Sequence, residues 1–553
     1  MTTTGTKTVR ILGMLLPILL IVLFLFFPVI SVLISGFKGE EGFTFSYLRN
    51  VLTDGYYYKI FAFTLSQALL STIVSLAIGI PVGYFFGKYD FKGKKVLLTF
   101  FTVPFVLPTV LVGMGFISLF GGKGLFGLPI LSIILAHSFY NIPLVVHYFS
   151  AYYQNFDKNL VSAAKTLGSK KFHLLFRLYL PLFLTPILSS AILTFLFCFM
   201  SYGIVLILGA ENLTFGARTI ETQIFAEYFE SEPNIASILA LLQILVTIAV
   251  VVGYLVFMRK KSKKEKTITT EVFPQEKIKK PFFKKPANIV LSVALLLGLA
   301  LEIAPLISII INSFWDPYTS QFVNNFKGLF SEDISSSARI GIGSAIGNTL
   351  KFAFGSALFA SILAIITVSV IGERRYKKSS ISLEMLTYLP LTISSATLSL
   401  GITQTFITSN FFASNPWIFI IISQGLLGYP FITRALLNGL NTIDPEIVDS
   451  AKILGAKFGY KLRKIYFPLL FKSFIAGFAF ALGLSISEFT VVNFFATLND
   501  SVATLTVVLY RLRNVRLFGA ASAIGVILML ISYASFFILE WLGAREKSTT
   551  KIL

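Results

Sequence analysis

Charged residues are scarce in this sequence of 553 residues: they make up 13% of it, whereas hydrophobic residues make up 55%. Soluble domains contain about a quarter charged residues, so the composition excludes an ordinary soluble protein and predicts a polytopic membrane protein. Cysteine is almost absent as well. The single Cys198 excludes a disulfide within the chain, and its place in an apolar run predicts a small, buried, apolar side chain.

Motifs for catalysis and cofactor binding are also missing. The sequence contains no G-x-x-x-x-G-K-[ST] stretch, the loop that holds nucleotide phosphates, so we do not expect the chain to hydrolyse ATP itself. The spacing of His, Cys and carboxylate residues shows no metal cage. We therefore expect no catalytic residue, no metal and no cofactor in this chain.

Apolar runs of membrane-spanning length dominate what remains. A helix needs about 20 apolar residues to cross a bilayer, and the first run is longer than the roughly 7–15 apolar residues of a secretory signal. We predict an uncleaved first span and an all-α fold of twelve transmembrane helices in two sets of six. The first set lies at 11–35, 61–86, 96–120, 130–150, 182–208 and 235–258, and the second at 288–312, 346–371, 383–408, 417–438, 472–497 and 518–542.

The net charge of +21 is compatible with nucleic-acid binding, but Lys and Arg also concentrate in the cytoplasmic loops of membrane proteins. Here the basic residues fall in alternate loops. This pattern predicts that both termini are cytoplasmic and that no nucleic acid is bound. Arg511, Arg513 and Arg516 break the pattern, because the same topology places them outside.

A Lys-rich stretch divides the two sets of spans. We predict a first transmembrane domain at 1–258, a basic cytoplasmic linker at 259–287 and a second transmembrane domain at 288–553. Because the linker has no periodic apolar face, we expect a flexible, solvated tether. Binding to anionic lipid is the alternative.

Two basic segments between predicted spans repeat each other without gaps. The first surface motif, SAAKTLGSKKFHLLFRLYLP, covers Ser162 to Pro181, and the second, DSAKILGAKFGYKLRKIYFP, covers Asp449 to Pro468. Further matches join Pro104 with Pro390, Gly115 with Gly401 and Pro143 with Pro430. Each set has an even number of spans, so the two halves share one orientation, as in a parallel repeat.

The composition of the surface motifs predicts a helix–turn–helix on the cytoplasmic surface. Alanine at the start favours helix, Gly168 and Gly455 can adopt positive φ for a sharp turn, and Pro181 and Pro468 mark re-entry into the membrane. An interfacial amphipathic helix would explain one such segment. It does not explain two segments with the same Ala, Gly and Pro spacing.

The spacing resembles the signature of inner-membrane subunits of bacterial ABC importers: Glu-Ala-Ala, three residues, Gly, nine residues, Ile-x-Leu-Pro. The Ala, Gly and Pro positions fit in both copies, whereas Ser162 and Asp449 replace the opening Glu. The resemblance implies a coupling helix that binds a groove of a separate ATPase and passes its closure to the transmembrane helices. It assigns to this ATPase-coupling motif Ser162, Ala163, Ala164, Lys165, Gly168, Lys170 and Pro181 in the first copy, and Asp449, Ser450, Ala451, Lys452, Gly455, Lys457 and Pro468 in the second.

The same resemblance implies the partners. These are two copies of a cytoplasmic ABC ATPase, which bind ATP and Mg, an extracytoplasmic solute-binding protein, and the lipid bilayer. Basic side chains such as Lys170 and Lys457 could pair with acidic groups on the ATPase. The positive-inside bias alone would also place them there.

Several stretches resemble the double-length permeases for thiamine most, and those for ferric iron next. They are ILAHSFYNIP at 134–143, CFMSYGIVLILG at 198–209 with RTIETQIF at 218–225, and LSISEFTVVNFF at 484–495 with TLTVVLYRL at 504–512. The resemblance implies an importer for a small solute. Thiamine is the first expectation, and ferric iron or another small solute is the alternative.

Polar residues inside predicted spans are candidates for the solute pathway. Glu488 lies well inside its span and Tyr202 at the matching place in the first half; a carboxylate beside an aromatic ring suits an organic cation. We favour the structural alternative, in which Glu488 hydrogen-bonds a kinked backbone or packs at a gate. His137 and Asn141, one helical turn apart, either line the pathway or hold helices together, and the second reading is favoured.

An alternative from a different class of transport protein is an ion-coupled secondary transporter. Such a protein can also have twelve helices in two parallel halves. It would usually show membrane carboxylates or broken helices for the coupling ion, and Glu302 and Glu488 leave it open. It does not account for the doubled surface motif. A channel would need a filter or a ring of charge, and the sequence has no recognisable one.

Overall fold

The computed structural model describes residues 16–101, 104, 107–120, 129–154, 156, 158–209, 217–262, 275–278, 286–316, 321–373, 387, 389–456 and 458–549. Within these ranges, ten helices are long and apolar enough to cross a membrane. Their long apolar sequences favour helices because a helix satisfies every backbone hydrogen bond within its own segment. The prediction of an all-α membrane fold is confirmed.

The helices that carry the argument are numbered along the chain. In the first half they are α1 (Leu16–Ser35), α2 (Gly55–Lys88), α3 (Thr109–Phe120), α4 (Pro129–Gln154), α5 (Lys158–Thr166), α6 (Leu180–Phe199), α7 (Gly203–Gly209), α8 (Ile220–Glu230) and α9 (Pro233–Ser262). In the second half they are α10 (Pro286–Phe314), α11 (Ile342–Glu373), α12 (Ser395–Phe406), α13 (Pro416–Asn441), α14 (Pro445–Ile453), α15 (Phe467–Ser487), α16 (Thr490–Leu498), α17 (Leu505–Asn514) and α18 (Phe518–Thr549).

Shorter elements connect them. The short α-helices are Ser46–Thr53, Lys94–Phe100, Lys171–His173, Glu332–Ala338, Asn410–Ser414 and Phe458–Lys461, with 3₁₀ turns at Leu389–Thr392 and Asp500–Val502 and π-helical turns at Leu174–Tyr179 and Leu462–Tyr466. A further π-helical turn, Val22–Phe26, lies inside α1. The strands are β1 (Lys38–Gly39), β2 (Gly42–Phe43), β3 (Tyr89–Asp90), β4 (Glu276–Lys277), β5 (Trp315–Asp316) and β6 (Gln321–Phe322). β1 with β2 and β5 with β6 form antiparallel hairpins, each directly after the first helix of a half.

The third predicted span of the first half is not one helix, so the prediction of a continuous helix over 96–120 is wrong. The chain forms one helix at Lys94–Phe100 and a second at α3. Pro104 and Pro108 lie between them, and proline lacks the N–H group that a helix interior needs. In the second half, α12 begins only at Ser395, after Pro390 in a 3₁₀ turn. The rest of that predicted span, at 383–386 and 388, lies outside the described residues.

The fifth predicted span of each half is also broken. Its first part, α6 or α15, ends at Phe199 or Ser487, and a short helix, α7 or α16, follows after three or two residues that are not helical. Met200–Tyr202 and Glu488–Phe489 therefore form a pair of breaks at matching places in the repeat. We call them the first break and the second break.

The first helix of each half packs against the short third helix of the other half. α1 contacts α12, and α10 contacts α3. The glycines of the repeat allow these contacts: a Cβ atom on Gly115 would lie 2.5 Å from the Pro305 carbonyl oxygen, and one on Gly401 would lie 2.8 Å from the Pro28 carbonyl oxygen. The first helix of each half therefore packs in the core of the other half.

Hydrogen bonds also join the first helix of each half to the short third helix of the other half. Ser118 in α3 accepts a hydrogen bond from the Asn312 amide of α10 at 3.0 Å. At the matching crossing, Ser35 of α1 donates to the Gln404 side chain of α12 at 3.1 Å. Small polar pairs of this kind hold helices together in an apolar environment, so they fix the register of the exchanged helices.

Parts of the predicted linker have a fixed place, which corrects the expectation of a free tether over its whole length: 259–262 belong to α9, 286–287 belong to α10, and 275–278 contain β4. β4 pairs in parallel with β3, which follows α2, and the Cα partners are Tyr89 with Glu276 and Asp90 with Lys277. The neighbouring linker residues 263–274 and 279–285 lie outside the described residues.

Candidate functional site: two surface turns and two helix breaks

The first surface motif folds as a helix, a turn and a short helix. α5 ends in a Schellman turn: Ser169 N–H donates to the Ala164 carbonyl at 3.0 Å, and Gly168 N–H donates to the Lys165 carbonyl at 2.9 Å. Gly168 has φ = 79°, the left-handed conformation that glycine adopts at little cost. The next helix, Lys171–His173, follows at once.

The second surface motif repeats this geometry. After α14, Ala456 N–H donates to the Ala451 carbonyl at 2.9 Å, and Gly455 has φ = 76°. The helix Phe458–Lys461 then follows. The shared spacing now has a physical reason: the alanine four residues before the glycine supplies the carbonyl that closes the turn. The predicted helix–turn–helix with positive φ at both glycines is confirmed.

Both motifs return to a long helix in the same way. A π-helical turn, Leu174–Tyr179 or Leu462–Tyr466, leads into α6 or α15, and Pro181 or Pro468 lies in the first turn of that helix. Proline is well tolerated there, because the first N–H groups of a helix have no partner within it.

The tips of the turns present apolar side chains to the surroundings. Leu167 and Leu454 occupy the same position of the repeat, and each is 86% exposed. Ser162, Ala163, Lys165, Lys170, Asp449 and Ser450 are exposed around them. Lys457 lies outside the described residues, as does the Lys452 side chain. An exposed leucine at the same tip in both copies fits a surface that a partner covers.

An aromatic cluster connects the first surface motif to the long helices. The Phe183 ring of α6 lies 5.1 Å from Phe149 and 5.8 Å from Tyr153 of α4, and 5.3 Å from Phe156, measured between ring centroids. Val161 of α5 packs into the same cluster. The cluster therefore joins α5 to α4 and α6 through tightly packed rings.

The two breaks meet at the interface between the halves. The Tyr202 ring stacks on the Phe489 ring with 5.8 Å between centroids, and the Asn493 amide donates to the Tyr202 hydroxyl at 3.0 Å. Both rings are buried. Phe225 of α8 meets Phe494 edge to face at 5.0 Å. Aromatic side chains from both halves thus fill the interface at which the two breaks meet.

Glu488 lies in the second break and is partly buried. Its carboxylate accepts hydrogen bonds from Val491 N–H at 3.1 Å and from the Ser395 hydroxyl at 3.5 Å. It therefore caps the N-terminus of α16, where the helix dipole favours negative charge. This is the favoured alternative from the sequence: Glu488 hydrogen-bonds the backbone at a kink. Tyr202 lies in the opposite break.

Sequence reasoning missed Glu221. It lies in α8, is fully buried, accepts a hydrogen bond from the Gln243 amide and interacts electrostatically with Glu488 across the interface between the halves. A buried carboxylate in an apolar protein marks a functional position by default. The signal was present in RTIETQIF, where Glu221 is the one acidic residue among apolar and uncharged polar residues after Arg218.

His137 and Asn141 lie elsewhere, within the first half. The Asn141 amide donates to the His137 carbonyl at 2.8 Å and to the Cys198 sulfur at 3.4 Å, and the His137 Nδ1 lies 3.4 Å from the Ser71 hydroxyl. These contacts join α2, α4 and α6, as the helix-holding interpretation predicts. Cys198 is buried, as expected. Glu302 of α10 is also buried.

Two of the three arginines that break the charge pattern, Arg511 and Arg513, cap the two short helices. Arg511 donates to the Ala496 carbonyl at 2.9 Å, in the last turn of α16, and pairs with Asp500 at 2.6 Å. Arg513 of the second half donates to the Ile207 carbonyl of α7 at 3.1 Å. Burial lowers the pKa of Arg511, and the Asp500 carboxylate opposes that shift. A positive charge at a helix C-terminus is favourable, which explains why these residues depart from the loop pattern.

Known proteins with similar sequences identify the family of this chain. The family of binding-protein-dependent transport system inner membrane components matches residues 79–262 and 354–548. The thiamine transport system permease protein ThiP of Haemophilus influenzae is 26% identical over 526 residues, covering 90% of this chain and 91% of that protein. ThiP of Escherichia coli is 24% identical over 523 residues, with 90% and 91% covered.

A third relative covers a third of the chain. The probable molybdenum ABC transporter permease protein of Haloferax volcanii is 32% identical over 190 residues, covering 33% of this chain and 68% of that protein. The family model matches the chain twice, in agreement with the internal repeat, and the two matches together cover more than half of the chain. The chain belongs to the binding-protein-dependent transport system inner membrane components: it is a double-length, multi-pass ABC importer permease of the inner membrane.

Proposed function

We propose that this permease imports thiamine, which a separate extracytoplasmic binding protein delivers. The observation that carries the proposal is the similarity to thiamine permeases over nine-tenths of the chain. In support, the two breaks bring aromatic rings and the Glu488 carboxylate to the interface between the halves, and α8 adds the Glu221 carboxylate. An aromatic ring beside negative charge suits an organic cation. Ferric iron or another small solute is the alternative substrate.

The surface motifs are the proposed attachment points for two ATPase subunits in the cytoplasm. Each turn presents one leucine at its tip, held by a glycine with positive φ. With this assignment, both termini and the linker lie on the cytoplasmic side. The first and second transmembrane domains, at 1–258 and 288–553, then carry one ATPase site each.

The transport cycle that we propose is alternating access, and the contacts at the breaks support it. The Tyr202–Phe489 stack and the Arg513 bond to Ile207 join the two halves, so they must separate for solute to enter from outside. We propose that ATP binding brings the ATPases together, draws the surface motifs with them and opens this point. Hydrolysis then restores the closed arrangement.

The broken helices and buried carboxylates by themselves also suit ion coupling. The family membership and the doubled motif favour ATP instead. Uptake into proteoliposomes that contain the purified complex separates the two: import that needs internal ATP and persists without an ion gradient supports our proposal. Import driven by a proton or sodium gradient without ATP would refute it.

The substrate is tested with the binding protein and the complex together. We expect thiamine to be imported and to stimulate ATP hydrolysis, and ferric iron to do neither. Glu488→Gln keeps the acceptor for Val491 N–H but removes the charge. Glu488→Gln should weaken import of the cation while leaving the basal ATPase rate of the complex unchanged. If the complex ignores thiamine, the substrate proposal fails and the family assignment stands.

A further inference from the structure

The linker between the halves caps the end of α2. The Gln275 amide donates to the carbonyls of Phe86 at 3.2 Å and Gly87 at 3.0 Å, in the last turn of that helix. These carbonyls have no partner within the helix, so the cap satisfies groups that would otherwise need water. A residue almost two hundred positions further along the sequence thus completes a helix of the first half.

Lys94, the first residue of the short helix Lys94–Phe100, binds the same cap. The Lys94 ammonium donates to the Gln275 side chain at 2.7 Å, to the Phe86 carbonyl at 2.5 Å and to the Tyr89 carbonyl at 3.0 Å. The parallel pairing of β3 with β4 continues the contact. We call the linker residues 275–278 the clip.

The clip is held by charge and by packing as well. Glu276 forms an ion pair with Lys88 at 3.9 Å, and the Lys88 ammonium lies 5.4 Å from the Tyr84 ring centroid. Ile278 packs against the apolar cluster that joins the end of α2 with α10. One short segment therefore contacts the first half and lies at the exchanged helix of the second.

From the clip, continuous contacts lead to the first surface motif. Tyr84 meets Tyr153 edge to face at 4.9 Å, and Tyr153 belongs to the aromatic cluster on which α5 packs. Gly87, whose carbonyl accepts from Gln275, is so close to Tyr153 that an added Cβ would lie 2.8 Å from the Tyr153 Cβ. The position of the α2 end thus sets the position of that cluster.

We infer that Gln275 and Glu276 are positioning residues for the first surface motif, so the linker is a working part of the transport machinery. The clip fixes the end of α2 against α4 and α10, and thereby holds the base on which α5 moves. This inference rests on the proposed coupling role of the surface motifs. Loss of the clip should lower the amount of solute imported per ATP hydrolysed, because the first surface motif would then move without displacing α4 and α6.

The first experiment tests the position of the clip alone. In a Cys198→Ser background, Asp90→Cys and Lys277→Cys place thiols at paired, exposed positions. We expect a short bis-maleimide to join them in native membranes and to protect both from later labelling. The control pair combines Lys277→Cys with Ser450→Cys, an exposed position of the second surface motif. Equal cross-linking of both pairs would show that the clip has no fixed place and would overturn the inference.

The second experiment tests the consequence for coupling. The intact complex with its ATPase and binding protein is placed in proteoliposomes, and solute imported per ATP hydrolysed is measured. Gln275→Ala should lower this ratio by about threefold or more, since it removes several hydrogen bonds at once. Gln275→Glu keeps the acceptor for Lys94 and should lower it less, and Thr267→Ala should leave it unchanged.

The ratio separates positioning from simple destabilisation. Less folded protein lowers import and hydrolysis together and leaves their ratio unchanged, whereas a misplaced motif lowers the ratio. If Gly455→Val lowers the ratio and Gln275→Ala does not, the positioning role is wrong and the coupling role stands. If Gly455→Val also leaves the ratio unchanged, the proposed coupling role itself fails.

Discussion

Substitution of Gly455 isolates the turn of the second surface motif from the rest of the protein. Gly455 has φ = 76°, and no atom lies within 4 Å of the position that a Cβ would take. A larger side chain therefore meets no steric clash inside the chain. Its effect comes from backbone strain at the turn and from contact with whatever covers the turn.

The strain can be estimated. The left-handed conformation costs a residue with a Cβ roughly 1–2 kcal/mol of conformational energy. For a β-branched residue this cost is at the upper end of the range. Gly455→Val should therefore reduce the population of the native turn by about 5- to 30-fold. The apolar core lies elsewhere, so the amount of protein in the membrane should be unchanged. Gly455→Asn, which tolerates this conformation, should retain most of the function.

Gly459 supplies a matched control, because it also has open space around it but lies in a helix with ordinary φ. Import and ATP hydrolysis are measured for Gly455→Ala, Gly455→Val, Gly459→Ala and Gly459→Val in the assembled complex. We expect import to fall more than hydrolysis only for the Gly455 variants. Unchanged import in Gly455→Val, with normal amounts in the membrane, would refute the coupling role of this turn.

Three further predictions concern the turn tips and the breaks. Leu454→Glu should reduce co-purification of the ATPase without loss of membrane protein, because the side chain is 86% exposed; Phe322→Glu, at an equally exposed site on a hairpin, should have no such effect. Arg513→Gln weakens the bond to the Ile207 carbonyl and should raise basal ATP hydrolysis by easing separation of the halves, whereas Arg516→Gln should not. Tyr202→Phe removes the acceptor for Asn493 but keeps the ring stack, so a change in import as large as that of Tyr202→Ala would contradict a role for the ring.

Much of the architecture was predictable from the sequence. Apolar run length gave the long helices, because length and composition decide whether a helix can cross a bilayer. The two turns were predictable because a Schellman turn depends on local sequence: an Ala-rich helix and a glycine at the right distance determine it. The break at Tyr202 was not predicted, since it lies in a continuous apolar run that looks like a single helix. At Glu488 the sequence suggested a kinked backbone but not the end of one helix and the start of another.

The remaining features depend on contacts between distant parts of the chain. Glu221 gains its importance from Glu488, which lies in the other half. Gln275 appears in a polar linker as an unremarkable residue, and only the end of α2 gives it a partner. The roles of Gly115 and Gly401 were equally hidden: the repeat showed that they match, but not that each accepts a helix from the opposite half.

The exchange of first helices also constrains how the protein is made. About 360 residues separate the end of α1 from the start of α12, its packing partner. At about 5–20 residues per second, the ribosome needs roughly 20–70 s to synthesise that interval. During this time α1 lies in the lipid without α12, so the close-packing surface around Pro28 and the bond from Ser35 to Gln404 form only after the second half is synthesised. Fusion of the halves into one chain ensures that the awaited partner comes from the same molecule.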